Sequence, residues 1–320
     1  MGWLERLQTV ILMGSILVGL GIGQVEGLAN GAERLILPFL LVLLIGVFVQ
    51  VPLKDVRKAL LNIRLFTAAS VGINFVVTPV AAAGIGFLFL RDMPELWIGL
   101  VMLMVTPCTD WYLVFTSLAR GNMALSTAIL PLNLILQIVL LPVYLWFLTG
   151  ESHQVEPGAL WESVVAVLVI PLIVSRLIRW GLFRHSGKSG LKEKVVNGIN
   201  AIPLVFLNLT IAAMFASQGT VLLQHPSLLW ELLLPILVMF LLLFVIGRVV
   251  ARLLHFSYPD RVSLHFTTLA RNSPVALAIA LTAFSGQPLI ALALVIGPLI
   301  ELPVLFLFSR LFLHFRNGNN

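Results

Sequence analysis

The sequence is a succession of apolar segments separated by short polar stretches. Each segment has about twenty residues, enough to cross ~30 Å of hydrocarbon as an α-helix. Hydrophobic residues make up 59% of the 320 residues and charged residues only 11%, against about 25% charged in a soluble domain. A water-soluble fold cannot bury that much apolar surface, so the sequence predicts an all-α membrane protein. The ten predicted spans cover residues 7–22, 34–51, 65–90, 96–118, 124–148, 160–182, 195–216, 228–254, 262–284 and 289–315.

Loop charge supports the same count, because Lys and Arg accumulate in the cytoplasmic loops of membrane proteins. Seventeen of the twenty basic residues fall on one predicted side of the ten spans. We therefore expect a multi-pass protein of the cell membrane with both termini cytoplasmic, and with residues 7–22 kept as the first helix. The basic residues lie in short loops without interleaved aromatic residues, a pattern that argues against nucleic-acid binding.

Three ionisable residues lie within the predicted spans, namely Asp110, Arg271 and Glu301. Each costs at least ~2.5 kcal/mol at the centre of a membrane helix, so we expect all three to face protein or a wet cavity. Two interpretations stay open at this stage. Asp110 and Arg271 form a structural ion pair while Glu301 caps a helix break, or all three line an ion or substrate path.

Two of these charges stand next to a proline. Pro107 precedes Asp110 in the fourth span, and Pro274 follows Arg271 in the ninth. Proline removes a helical hydrogen bond, and in lipid the freed groups must be satisfied by protein or water. The pattern predicts two broken helices, whose exposed carbonyls can hold a cation and whose exposed N–H groups favour an anion. Neutral hydrogen-bonding side chains at the same depth are Thr109, Asn272 and Ser273.

The spacing of prolines indicates an internal repeat. Pro107 and Pro274 are 167 residues apart, and so are Pro131 and Pro298 in the spans that follow. Five helices per half make the second half enter the membrane inverted, which is the plan of many secondary transporters. The predicted halves are residues 1–153 and 154–320.

Three segments carry a family resemblance: Asn-Phe-Val-Val-Thr-Pro at 74–79, Pro-Cys-Thr at 107–109 and Gly-Pro-Leu-Ile-Glu-Leu-Pro at 297–303. Together they resemble motifs of the arsenite-efflux permeases of the bile acid:sodium symporter superfamily, in matching order to the C-terminus. The resemblance implies a panel domain of spans one, two, six and seven, and a core domain of the other six. It also implies that Cys108 is the arsenite-associated thiol, and that Asn74 and Glu301 match functional residues of the third and tenth helices.

The ninth span departs from this family. Its members carry a Ser-Asn-Asn-aromatic-Glu pattern there, whereas residues 271–275 read Arg-Asn-Ser-Pro-Val, and an acid stands instead at Asp110. Arg271 either occupies the space of a coupling cation, which would make transport sodium-independent, or binds an anionic substrate.

The predicted function is secondary-active transport by alternating access, with efflux of arsenite or a related small oxyanion. The alternative is sodium- or proton-coupled symport of an organic anion; an intramembrane enzyme and a non-transporting sensor rank below both. The expected partners are membrane lipid and a small solute. We expect no cofactor beyond a coupling Na⁺ or H⁺, and no metal site, because the chain has a single cysteine. The sequence does not predict an oligomeric state.

Overall fold

The computed structural model describes residues 3–50, 64–108, 111–149, 157–185, 189–224, 226–284 and 287–317. These ranges are almost entirely helical, as the sequence predicted, and they contain no strand longer than a single β-bridge. Thr109 and Asp110 fall outside them, so the roles expected of these two residues stay predictions.

The described residues form twelve helices, two of which contain a π-helical turn in the middle. They are α1 (Trp3–Ile22), α2 (Glu26–Gln50), α3 (Arg64–Gly72, Ile73–Val77 and Thr78–Phe89), α4 (Pro94–Met104), α5 (Trp111–Leu118), α6 (Met123–Thr149), α7 (Pro157–Val164, Val165–Val169 and Ile170–His185), α8 (Ser189–Gln224), α9 (Ser227–Leu253), α10 (Tyr258–Leu269), α11 (Ser273–Ala283) and α12 (Pro288–Asn317).

Six helices in the described part of the chain are long and apolar enough to cross a membrane, belonging to α2, α3, α6, α7, α9 and α12. Shorter apolar helices fill most of the other predicted spans. The predicted boundaries were too narrow in two places: α2 begins at Glu26 rather than at residue 34, and α8 runs from Ser189 to Gln224 rather than from 195 to 216. Hydropathy marks only the lipid-embedded part of a helix, and these two continue into more polar sequence.

The helices form two groups. In the first, α8 lies along α1 and α2, and α7 packs on α2. Small residues allow the close approach of α8 to the end of α1, since a Cβ atom at Gly23, the residue after α1, would lie 2.6 Å from the carbonyl oxygen of Ala216. In the second group, α4 packs on α12, and α9 and α10 pack on each other. This division is the one that the family resemblance implied. The inverted relation between residues 1–153 and 154–320 stays a prediction.

Both predicted helix breaks are present. The fourth span is interrupted between Met104 and Trp111, and the ninth between Leu269 and Ser273. Pro274 lies in the first turn of α11, where its missing N–H leaves no helical hydrogen bond unmade. The side chain of Asn272 caps that helix by accepting a hydrogen bond from the N–H of Val275 at 3.2 Å.

Candidate functional site

The two helix breaks are joined to each other. Pro107 and Arg271 form an antiparallel β-bridge. The N–H of Cys108 donates to the carbonyl of Ala270 at 3.0 Å, and the N–H of Asn272 donates to the carbonyl of Thr106 at 2.7 Å. Non-helical backbone at membrane depth needs protein partners for its polar groups. Each break therefore supplies hydrogen-bond partners for backbone groups of the other. Without the other break, these groups would be unpaired in lipid.

The guanidinium of Arg271 is fully buried beside this bridge. Its Nη1 donates to the carbonyl of Met104 at 2.8 Å and to Asn74 Oδ1 at 3.4 Å, and its Nη2 donates to the carbonyl of Thr268. Met104 ends α4, and Thr268 lies in the last turn of α10. Helix C-termini carry partial negative charge, so the cation lies where two half-helix dipoles converge.

Glu301 on α12 is also fully buried, and it contacts the main chain of the same break. Its Oε1 accepts a hydrogen bond from the backbone N–H of Arg271 at 2.8 Å, whereas Oε2 has no hydrogen-bond partner among the described residues. The indole Nε1 of Trp111 donates to the carbonyl of Arg271 at 3.3 Å. The N–H of Arg271 is thus held by α12, its carbonyl by α5, and its guanidinium by α3, α4 and α10.

The structure brings other predicted site residues to the same place. Asn74 lies on the π-helical turn of α3, buried, and its Nδ2 donates to the carbonyl of Thr267 at 3.1 Å. The buried Cys108 belongs to the bridge through its backbone. Ser273 starts α11, and its buried hydroxyl has no hydrogen-bond partner within the described ranges. At 1.5 Å per residue, Asn74 and Glu301 stand about 15–20 Å along their helices, which is near mid-membrane.

Two further buried polar residues, Asn133 and Gln137 on α6, were not predicted from the sequence. Both are 1% exposed, and the oxygen and nitrogen of each amide have no hydrogen-bond partner in the part of the chain that the structure describes. Their spacing of four residues puts them on one face of the helix. That spacing in an otherwise apolar run was the signal that could have identified them, since buried amides normally have partners.

The first of the two breaks, at residues 105–108, lies in a part of the chain that matches a known family. The sequence profile of the Sodium Bile acid symporter family matches residues 37–225. The chain belongs to this family. It is therefore a secondary transporter, and family membership assigns it to transport rather than to enzymatic chemistry.

Several relatives carry more specific names. The chain is 27% identical over 306 residues to the arsenical-resistance protein Acr3 of Corynebacterium glutamicum, covering 91% of this chain and 82% of that protein. It is 23% identical to Acr3 of Alkaliphilus metalliredigens, covering 95% and 90%. It is also 26% identical to an uncharacterized sodium-dependent transporter, YocS of Bacillus subtilis, covering 66% and 63%.

Proposed function

We propose that this Sodium Bile acid symporter family protein exports arsenite or a related small oxyanion by alternating access. The observation that carries the proposal is the bridge between the breaks, because it gathers polar groups of five helices at mid-membrane depth. Transporters of inverted-repeat design bind solutes where such broken helices meet. The proposed substrate follows from the names of the two Acr3 relatives, whose matches cover almost the whole chain.

Cys108 is the proposed thiol ligand of As(III). Soft thiolate ligands suit soft metal and metalloid centres, and Cys108 is the one cysteine of the chain. Its backbone N–H is fixed by Ala270, so the residue sits at the junction of the two breaks. Thr109 and Asp110, which follow it in the sequence, are proposed to complete the same site.

The test is arsenite accumulation in everted membrane vesicles from cells that lack their own arsenite exporter. We expect accumulation with the wild-type protein, and at least a tenfold lower rate with Cys108→Ser, which is about 1.4 kcal/mol of lost transition-state stabilisation. Ser70→Ala is the matched control, because Ser70 is a small buried residue of α3 outside the bridge. If wild-type vesicles do not accumulate arsenite, arsenite is not the substrate. If Cys108→Ser transports at the full rate, the thiol is not a ligand of the substrate.

Arg271 is proposed to act as a resident cation. Its guanidinium is bound by three oxygen atoms from three helices, two of them main-chain carbonyls. Carbonyls of broken helices are the groups with which transporters coordinate Na⁺. A permanently charged side chain in that position removes the need for a bound sodium ion, so we expect arsenite export to proceed equally well when potassium replaces sodium.

The second candidate function is sodium-coupled symport of an organic anion. The name of YocS and the description of the family favour it. Under this alternative Arg271 contacts the anion, and uptake would require a sodium gradient. Uptake assays with a panel of radiolabelled organic anions, with and without sodium, separate the two functions, because only symport gives sodium-stimulated accumulation.

For location, we propose the cell membrane with both termini cytoplasmic. The support is the distribution of basic residues, seventeen of twenty on one predicted side. Alkaline phosphatase and green fluorescent protein fusions to the C-terminus test it. A cytoplasmic C-terminus gives fluorescence without phosphatase activity, and the reverse result would contradict the proposed orientation.

A further inference from the structure

A cavity of about 710 Å³ opens at the predicted cytoplasmic side, away from the bridged breaks. Its walls come from the C-terminal halves of α9 and α12, the first turns of α10, and Arg120, two residues after the end of α5. Five arginines line it: Arg120, Arg248, Arg252, Arg261 and Arg316.

No carboxylate of the described residues neutralises the positive charge of this cavity. Within the described ranges, none of the five guanidinium groups has a carboxylate oxygen within 4.0 Å. Asp260, the acid in the first turn of α10, is engaged elsewhere: its oxygens accept hydrogen bonds from Asn122 Nδ2 at 2.8 Å and Ser257 Oγ at 2.7 Å. Like charges gathered without a counterion repel one another, so such a cluster favours a bound anion.

The other half of the cavity wall is aromatic. Phe244 stacks on Phe308 with ring centroids 4.5 Å apart. Arg248 lies over the ring of Phe315 at 5.1 Å, and Arg316 lies over that of Tyr258 at 5.7 Å. These cation–π contacts hold guanidinium groups against an apolar wall while leaving their edges available to an acceptor.

Apolar surface continues outside the cavity. Val249 and Leu253, on α9 beside Arg248 and Arg252, are 51% and 70% exposed. A soluble anion would gain nothing from these side chains, whereas an acyl chain would lie along them. Charge, aromatic wall and apolar flank therefore all match one kind of ligand, a phosphate attached to hydrocarbon.

We propose that this cavity binds the phosphate of an anionic phospholipid from the cytoplasmic leaflet. Arginine suits this role, because its planar guanidinium group donates two parallel hydrogen bonds to phosphate oxygens and stays charged. Basic pockets between helices on that side of a membrane are favoured sites for acidic headgroups. The ligand would tie α9, α10 and α12 together at the end of α10 opposite Thr268, whose carbonyl holds Arg271.

The experiment measures the thermal midpoint of the purified full-length protein in a neutral detergent. We expect phosphatidylglycerol to raise the midpoint by several degrees, and phosphatidylcholine or inorganic phosphate at the same phosphorus concentration to raise it by less than a third as much. The double variant Arg248→Gln/Arg252→Gln should lose more than half of the phosphatidylglycerol effect. Both of these arginines are exposed, so the substitutions leave the helix core untouched.

Arg91→Gln is the matched control. Arg91 also lies over a phenylalanine ring, that of Phe87 at 5.2 Å, but it belongs to the predicted opposite side of the membrane. We expect this variant to keep the full effect. Native mass spectrometry serves as the second measurement, with phosphatidylglycerol bound to wild type and Arg91→Gln and depleted at least threefold in the double variant. Equal stabilisation by inorganic phosphate, equal stabilisation by phosphatidylcholine, or full lipid retention by the double variant would each overturn the proposal.

Discussion

The backbone N–H of Arg271 donates a hydrogen bond to Glu301 Oε1 at 2.8 Å, so these two ionisable residues are joined through the main chain. The guanidinium of Arg271 is held by neutral oxygens of Asn74, Met104 and Thr268. The carboxyl group of Glu301 and the guanidinium of Arg271 thus act on different atoms of the break. A substitution at one of them tests a different function from a substitution at the other.

Glu301→Gln keeps an oxygen that accepts the Arg271 N–H but removes the group that can exchange a proton. We expect near-normal thermal stability and at least tenfold slower arsenite transport, about 1.4 kcal/mol. Glu301→Ala removes the acceptor as well, which leaves a buried N–H unpaired and costs a further ~1–3 kcal/mol of stability. Thermal unfolding and vesicle transport are measured on both variants. If Glu301→Gln transports at the wild-type rate, proton exchange at Glu301 has no part in the cycle.

Arg271→Ala empties a space lined by carbonyl and amide oxygens, which a sodium ion can enter. We expect this variant to transport arsenite poorly in potassium and to regain activity as sodium is added. The wild type should transport at the same rate in potassium and in sodium. The measurement is the initial rate of arsenite accumulation in vesicles at a series of sodium concentrations.

Arg271→Lys is the control for that experiment, because it keeps the positive charge and should stay indifferent to sodium. Arg271→Ala transporting at the same low rate at every sodium concentration would contradict the resident-cation role. If purified Arg271→Ala also fails to bind arsenite, the result favours the alternative in which Arg271 contacts the solute.

The unpartnered amides of Asn133 and Gln137 give a third prediction. A buried amide without hydrogen bonds is destabilising, so Asn133→Leu and Gln137→Leu should leave stability unchanged or raise it by about 1 kcal/mol. Transport should nevertheless fall at least fivefold, because we expect these amides to serve the solute or its water. The control is Asn74→Leu, which removes the hydrogen bond to Thr267 and should lower stability. If the two leucine variants transport arsenite at the wild-type rate, Asn133 and Gln137 serve only in helix packing.

A fourth prediction concerns the packing of α4 on α12. A Cβ atom at Gly99 would lie 2.5 Å from Ala293 Cβ and 3.1 Å from the carbonyl oxygen of Ile290. Gly99→Ala should therefore force the helices apart and cost ~1–3 kcal/mol of stability. Gly84→Ala is the matched control: nothing lies within 4 Å of its added methyl group, and helix propensity favours it by ~0.5–1 kcal/mol. Thermal unfolding in detergent compares the two, and equal midpoints would show that the α4–α12 contact tolerates expansion.

Much of the fold was predictable because lipid imposes simple rules on sequence. Apolar length gave the spans, and a proline beside a charge located both breaks, at Pro107 and at Pro274. The ends of α2 and α8 were not predictable in the same way, since a helix can leave the apolar layer without changing its backbone.

The site was less predictable, because its contacts run between backbone groups distant in sequence. The ion pair considered for Arg271 assumed that a buried cation seeks a side-chain anion. Among the described residues, its guanidinium donates to the main-chain carbonyls of Met104 and Thr268, which residue type alone does not reveal. Pairing of Pro107 with Arg271 likewise depends on how the two breaks cross. The partners of Asp110 stay a prediction.

The covalent attachment of the Arg271 guanidinium also has an energetic consequence. A cation that belongs to the chain returns with it after every turnover, so it carries no net current and draws no work from an ion gradient. A neutral solute moved in this way would only equilibrate across the membrane. Accumulation against a gradient needs a second, exchangeable ion, and we expect a proton at Glu301, whose Oε2 has no hydrogen-bond partner in the described part of the chain.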